Sequence, residues 1–436
     1  MKRALFFSWP QISHLKPLFS LFDELKKSNY DVYCVSKNKY KSQIEQHCNF
    51  IEYPYDAYSV VYPEYIDELT DKKSKCLEEG NNKEFIRLMF KIGSVTCYDE
   101  KKEHMDSVRD IINFVKPNVI FRDAAERVSS NVAKEMGVRC IGYITNNMNS
   151  FELFESNPLL YLPQALFLNP NLSQNVFSEG EYMHMREYLT NISHEIVDDL
   201  NLSNPKFCIQ NDPQEEKNII FSSKYLQSPF LSSEREYIIY PPTNDRFEIE
   251  KNIPDDIINF MSGKLPIVYI SMGSIITKKD LFYKTYIEHF LSAGFKVIVT
   301  WNKDPEHIKA VLGDIYLNNN LLIRPFLPQQ YVLSNATLFI SCGGFNSLLE
   351  TIKYMVPIFV EPSSGEQNLN GLLIEELGIG YSSNTIHMNK KGRGQLLREL
   401  ITDPKFKENL IRLNTKIFSE VNNECVKNII KWIEEK

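Results

Sequence analysis

The first apolar run, Ala4-Leu-Phe-Phe-Ser-Trp9, is short, rich in aromatics and stopped by Pro10, which predicts a strand. A loop over Pro10 to Lys16 follows. Behind Pro17 the residues Leu18, Leu21, Phe22 and Leu25 recur at helical spacing, so a helix is predicted to begin at that proline. Asp31-Val-Tyr-Cys-Val-Ser36 then reads as a second strand. Strand, helix and strand within about 35 residues make a parallel crossover unit, the building block of a doubly wound α/β sheet.

The alternation continues with a helix near Met105–Phe114, a strand at Asn118–Arg122, a helix from Val128 to Met136 and a strand at Arg139–Thr145. Between Asn146 and Leu200 the pattern weakens, and Phe151, Phe154, Leu159, Tyr161, Tyr182 and Met183 stand in a polar background. Such a stretch is either the edge of an apolar cleft or the ordinary core of a helical insertion. Periodicity is lost again around Tyr240-Pro-Pro-Thr-Asn-Asp245, which marks a linker. Beyond it, strands at Ile267–Ser271, Phe295–Thr300, Leu321–Arg324, Thr337–Ser341 and Pro357–Val360 alternate with helical segments. These predict a second doubly wound domain. Val421, Cys425, Ile429, Trp432 and Ile433 share one face of a terminal helix, which is expected to dock. The expected boundaries are 1–238, 239–415 and a docking helix over 416–436.

Composition narrows the function classes. At 436 residues, 43% hydrophobic and 24% charged, the chain is globular and long enough for more than one domain. Its 49 basic and 56 acidic residues leave a net charge of -7, which repels nucleic acid. No uncharged apolar stretch reaches the ~18 to 20 residues that cross a bilayer. The eight cysteines form no C-x-x-C pair and read as reduced core thiols, so the cytoplasm is the expected compartment. Neither the cysteines nor the histidines have metal-ligand spacing, and no Asp-x-Asp occurs.

In open α/β sheets, ligands bind beyond the carboxyl ends of the strands. Ile340-Ser-Cys-Gly-Gly-Phe-Asn-Ser347 is such a place: a strand, two glycines, then a helix. Glycines admit a ligand to the backbone, and a helix N-terminus offers unpaired N–H groups that suit a phosphate. Alternatively, this is a tight turn capped by Asn346 and Ser347. Arg324-Pro-Phe-Leu-Pro-Gln-Gln330 lies upstream, with Val356-Pro-Ile-Phe-Val-Glu-Pro362 and Gly365-Glu-Gln-Asn-Leu-Asn370 downstream.

This ordered series of about 55 residues resembles the donor-binding signature of family 1 glycosyltransferases, the UDP-dependent enzymes, and particularly their bacterial macrolide-type members. The resemblance implies a GT-B fold. Two Rossmann-like domains would face each other across a cleft, the first binding the acceptor and the second the sugar nucleotide, with the C-terminal helix returning toward the first. It places Phe326 beside uracil with Gln329 nearby, and gives Glu350 the ribose hydroxyls. Glu350 is one turn beyond Asn346, a spacing that puts both on one helix face. Glu366 and Gln367 match the pair that holds sugar hydroxyls, and Ser271-Met-Gly-Ser274 the turn that opens the donor domain. Gly344, Asn346 and Ser347 would meet the diphosphate. Cys342 stands where the family usually has a diphosphate-binding His. A thiol is a weaker donor, so either donor affinity is lower or another group compensates. A buried apolar thiol is the simpler role for Cys342.

Ser13-His-Leu-Lys-Pro17 is similar to the family's Gly-His-x-x-Pro with the glycine replaced. Imidazole, with an unperturbed pKa of about 6.5, can take a proton from a hydroxyl near neutral pH, so His14 is the candidate base. Phe121-Arg-Asp123 lies where family members place the carboxylate that orients it, though Asp123 could equally cap the next helix. Arg122 beside it could blunt its charge. The resemblance implies an inverting, metal-independent transfer of a sugar from a UDP-sugar, UDP-glucose by prevalence, to a hydroxyl of a small hydrophobic natural product. No cofactor is expected, because the UDP-sugar is a co-substrate. Two alternatives stay open: a sugar-nucleotide-binding auxiliary without activity, and a GT-B epimerase.

Overall fold

The computed structural model describes residues 2–57, 59–165, 177–203, 205, 212–250, 252–273, 278–385 and 392–435. It forms two compact units, Met1–Pro242 with Glu420–Lys436, and Thr243–Ser419. In the first, strands β1 (Lys2–Phe7), β2 (Tyr30–Ser36), β3 (Asn49–Glu52), β4 (Val119–Asp123), β5 (Cys140–Ile144), β6 (Lys217–Ile220) and β7 (Glu236–Ile239) pair in the order β3-β2-β1-β4-β5-β6-β7. Every pairing is parallel.

Alternate strand residues point to opposite faces. Ala4, Phe6, Val119 and Phe121 pack against Leu15, Leu18, Leu21, Phe22 and Leu25 of the helix Ile12–Lys27. Leu5, Phe7 and Ile120 pack on the other side against Val108, Ile112 and Val115 of the helix Lys102–Val115. Phe6 and Phe121 stack across neighbouring strands, with centroids 4.2 Å apart.

The first helix begins at Ile12 rather than at Pro17, which lies inside it. The N–H groups of His14 and Leu15 both bond the Gln11 carbonyl, at 3.0 and 3.2 Å, and close the first turn. Pro17 has no N–H to give the Ser13 carbonyl, one lost bond near a helix start. Burial of Leu15 on the same apolar face favours the earlier turn.

The terminal helix Asn423–Glu434 belongs to the first unit, with Ile429, Trp432 and Ile433 in the core under the helix Ile12–Lys27. Arg139 donates to the carbonyls of Trp432 and Ile433 at 2.7 and 2.8 Å, satisfying orphan groups at the helix end. Val421 departs from the expected apolar face. It precedes the first turn and is 75% exposed, because helical periodicity does not extend to it.

The described residues between 151 and 200 form the short helices Phe151–Ser156, Pro158–Ala165 and Glu179–Met183 and the longer Met185–Leu200. Phe154 and Leu162 are buried, whereas Leu159 and Met183 are exposed. Residues 166–176 and the Tyr182 side chain lie outside what is described. A cavity of about 660 Å³ beside Phe151 is lined mostly by polar and charged side chains, among them Glu152, Glu155, Arg186, Asp212 and Arg235.

In the second unit, β8 (Ile267–Ser271), β9 (Lys296–Thr300), β10 (Leu321–Arg324), β11 (Leu338–Ser341), β12 (Ile358–Val360) and β13 (Gly380–Ser382) pair in the order β10-β9-β8-β11-β12-β13, again all parallel. Trp301, just past β9, is core, stacked on Tyr283 at 4.4 Å. Cys34, Cys48, Cys76, Cys97, Cys140, Cys342 and Cys425 are free thiols, and Cys208 lies outside the described residues. Among the described residues no helix is long and apolar enough to cross a membrane.

Candidate functional site

In each sheet the chain starts in the middle, lays two strands to one side, then returns to continue on the other. The reversal falls between β1 and β4 in the first unit and between β8 and β11 in the second. At such a point the loops leaving adjacent strands diverge to opposite faces and leave a crevice at their carboxyl ends. The candidate residues of each unit cluster at its own crevice.

In the first unit, Phe7 is in register with Arg122, so β1 and β4 end side by side. Asp123 is the last residue of β4 and shares a face with Val119 and Phe121, the face covered by the helix Ile12–Lys27. His14 stands in the first turn of that helix. The two meet: His14 Nδ1 lies 2.8 Å from Asp123 Oδ2, with the carboxylate 1% exposed and the imidazole 23% exposed. Asp123 Oδ1 accepts from the Ala125 N–H at 2.9 Å, which restrains the carboxylate. A carboxylate on Nδ1 places the ring proton there and leaves Nε2 as the basic nitrogen.

Asp123 does not cap the next helix. Glu126 does so instead, accepting from the Val128 and Ser129 N–H groups at 2.9 and 3.0 Å. Nor does Arg122 blunt the pair, because strand alternation turns it to the opposite face. There its guanidinium bonds Glu215 at 3.0 Å and the Glu126 carbonyl at 2.8 Å.

In the second unit, Ser341 is in register with Ser271, so β11 and β8 end side by side. Gly343 has φ +82°, and a Cβ there would sit 2.5 Å from Val360 Cγ1, so the turn requires glycine. Gly344 is the N-cap of the helix Phe345–Tyr354 and, having no side chain, makes no cap bond there. A Cβ on Gly344 would meet nothing within 4 Å. The space beside Gly344, at the start of that helix, is therefore open. By contrast, Ser364 caps the neighbouring helix Gly365–Glu376 by accepting from the Gln367 N–H.

Asn346 and Ser347 are half-buried on the first turn, and Arg246 Nη2 donates to Asn346 Oδ1. Glu350 accepts from Gln329 Nε2, and the Tyr269 hydroxyl donates to Gln329 Oε1 at 3.1 Å. Burial pushes the Tyr269 phenol up to about 12, so it stays a neutral donor. Phe326, three residues before Gln329, is 73% exposed, an uncovered aromatic face. Glu366 opens the helix Gly365–Glu376, while Gln367 Oε1 accepts from the Ser363 N–H at 2.7 Å and shapes the turn before that helix.

The Cys342 side chain packs with Ile340, Met272 and Trp301 in the core, and burial pushes its thiol up. Ser274 lies outside the described residues. Three residues of this site have no reading in the sequence: Arg246, Tyr269, and Asn370, whose Nδ2 holds the Gly343 carbonyl at 2.9 Å. Asn370 sits one turn beyond Glu366, a spacing that could have signalled a shared helix face.

Residues 246–435 match the model of the family described as UDP-glucoronosyl and UDP-glucosyl transferase. The uncharacterized UDP-glucosyltransferase YdhE of Bacillus subtilis (strain 168) is 21% identical over 417 residues, 95% of this chain and 94% of that protein. The NDP-glycosyltransferase YjiC of the same organism is 32% identical over 169 residues, 38% of this chain and 40% of that protein. Among solved structures, the glycotransferase of kitacinnamycin superposes with a TM-score of 0.68 at 16% identity, covering 99% of each chain. That likeness shows the fold.

Proposed function

We propose, from the match of residues 246–435 to the UDP-glycosyltransferase family and from the GT-B fold, an inverting, metal-independent transfer of glucose from UDP-glucose to a hydroxyl of a small hydrophobic natural product. His14 Nε2 takes the acceptor proton as the acceptor oxygen attacks C1 of the sugar. The bond from C1 to the diphosphate oxygen breaks on the opposite side, and UDP leaves. Asp123 keeps the imidazole in the reactive tautomer and stabilises the imidazolium that forms. Phe326 stacks on the uracil, Gln329 and Glu350 hold the nucleoside, and Glu366 with Gln367 holds the sugar.

Leaving-group charge falls on the N–H groups of Gly344 through Ser347, aimed where charge develops. No metal enters this scheme. The natural-product acceptor draws support from solved structures of similar fold, among them the kitacinnamycin, calicheamicin and spinosyn glycosyltransferases.

The observation that carries the reading is the 2.8 Å contact between His14 and Asp123 at the crevice of the first sheet. A protein that only bound sugar nucleotide would have no use for an oriented base, so the pair favours transfer over the auxiliary reading. The test is mass spectrometry of glycoside formed from UDP-glucose and a mixed phenol and macrolide panel. His14→Ala should lower turnover by about two to four orders of magnitude. Near-normal turnover in that variant would remove His14 as the base.

A further inference from the structure

We propose that Arg246 is a donor-positioning residue, which fixes the Asn346 amide and adds positive charge at the diphosphate where Cys342 supplies none. This rests on the donor site described above.

Arg246 lies in the short turn Asp245–Phe247. That turn is fastened to the glycine-led helix and its neighbour at several points. Tyr354 donates to the Phe247 carbonyl at 2.7 Å, Lys353 to Asn244 Oδ1 at 2.6 Å, and Gln330 to the Arg246 carbonyl at 3.2 Å. A mount of this kind holds a side chain in one place.

The guanidinium donates to Asn346 Oδ1. An arginine has no acceptor, so its partner must be the amide oxygen. The Asn346 NH2 is therefore turned away from Arg246, as a donor on the first turn of the helix whose N-cap, Gly344, makes no side-chain bond. An amide free to flip would offer the diphosphate an oxygen half the time and repel it.

Charge argues the same way. Glu350 and Asp245 act on the guanidinium only through space, and burial, the largest influence, holds it down to about 10. A partly desolvated cation without a bonded carboxylate is costly, and an arriving anion relieves that cost. The thiol at 342 is sequestered in the core and cannot take this role.

Calorimetry on the full chain tests the assignment, with UDP and uridine as probes. Arg246→Gln should weaken UDP by about ten- to a hundredfold and leave uridine within about twofold. Arg246→Lys should recover part of the loss, and the salt dependence of UDP binding should be shallower in Arg246→Gln than in the wild type. Steady-state rates should show a raised KM for UDP-glucose as the main change. Should Arg246→Gln not fold, Asn346→Ala carries the test, with UDP weakened by about tenfold and uridine unchanged. UDP affinity unchanged in these variants, or UDP and uridine lost in equal proportion, would overturn the role of Arg246 and leave the donor site standing. A wild type that binds neither probe would overturn the donor site itself.

Discussion

Asp123→Asn changes one atom at a buried position. In the wild type, Oδ1 accepts from the Ala125 N–H at 2.9 Å and Oδ2 faces His14 Nδ1 at 2.8 Å. An asparagine that keeps its oxygen on Ala125 must present its NH2 to Nδ1. Nδ1 then becomes an acceptor, the ring proton moves to Nε2, and the nitrogen needed as base is blocked. The number of hydrogen bonds is conserved, so the fold should persist with little change in Tm. What is lost is the reactive tautomer and the stabilisation of the imidazolium. Together these should lower kcat by about a hundred- to ten-thousandfold, or about 3 to 5 kcal/mol of barrier.

The assay is UDP release from UDP-glucose with an acceptor from the panel, beside calorimetric binding of UDP. Binding should be unchanged, because Asp123 makes no part of the donor site. The double variant with His14→Ala should be scarcely slower than His14→Ala alone, since the two residues act as one device. A kcat for Asp123→Asn within about threefold of wild type, or losses that simply multiply in the double variant, would refute the pairing as the source of the chemistry.

Gly343→Ala forces a side chain into left-handed backbone at φ +82° and sets its Cβ 2.5 Å from Val360 Cγ1. Strain and repacking together cost about 2 to 5 kcal/mol, so Tm should fall by about 5 to 15 °C in calorimetry, with weaker UDP binding. In the first unit, Lys91 of the helix Asn82–Val95 bonds Asp199 at 2.8 Å and Glu195 at 3.0 Å. Chiefly through Lys91, and then the Tyr65 hydroxyl, the Asp199 carboxyl is held below its ordinary 3.8, while burial opposes the Lys91 charge but the two carboxylates raise it. Stability from a lowered acid is present above its unfolded value and lost as pH falls through the folded one; stability from a raised base is present below 10.5 and lost above it. The Tm deficit of Lys91→Met should thus be full between about pH 5 and 9 and shrink below about pH 4, as thermal scans across that range would show.

Central strands were readable from sequence because parallel strands buried on both faces are unbroken apolar runs, as in β1, β8 and β11. The edge strands β3, β7 and β13 and the interior β6 were not, although the edge strand β10 was. Asn49–Glu52 and Glu236–Ile239 are only four residues long, and Gly380–Ser382 only three, with polar ends, and they become strands by pairing with a neighbour already in place. Helix starts were legible only as far as proline could be trusted, and Pro17 shows its limit. The Gly-Gly turn, the Gln329 and Glu350 spacing and the histidine motif could be named in advance because each is local in the chain.

Of the partnerships between distant segments, only the family resemblance could name one, His14 with Asp123, 109 residues apart. Nothing in the sequence pointed to Arg246 with Asn346, one hundred residues apart. Local order and residue chemistry come from the chain's own spacing, since side chains three or four apart on a helix, or two apart on a strand, share a face whatever surrounds them. Which nitrogen of His14 is basic, which way Asn346 turns, and whether Arg122 or Asp123 reaches the crevice depend on strand register and sheet order. Those emerge only when the sheets assemble and bury both their faces.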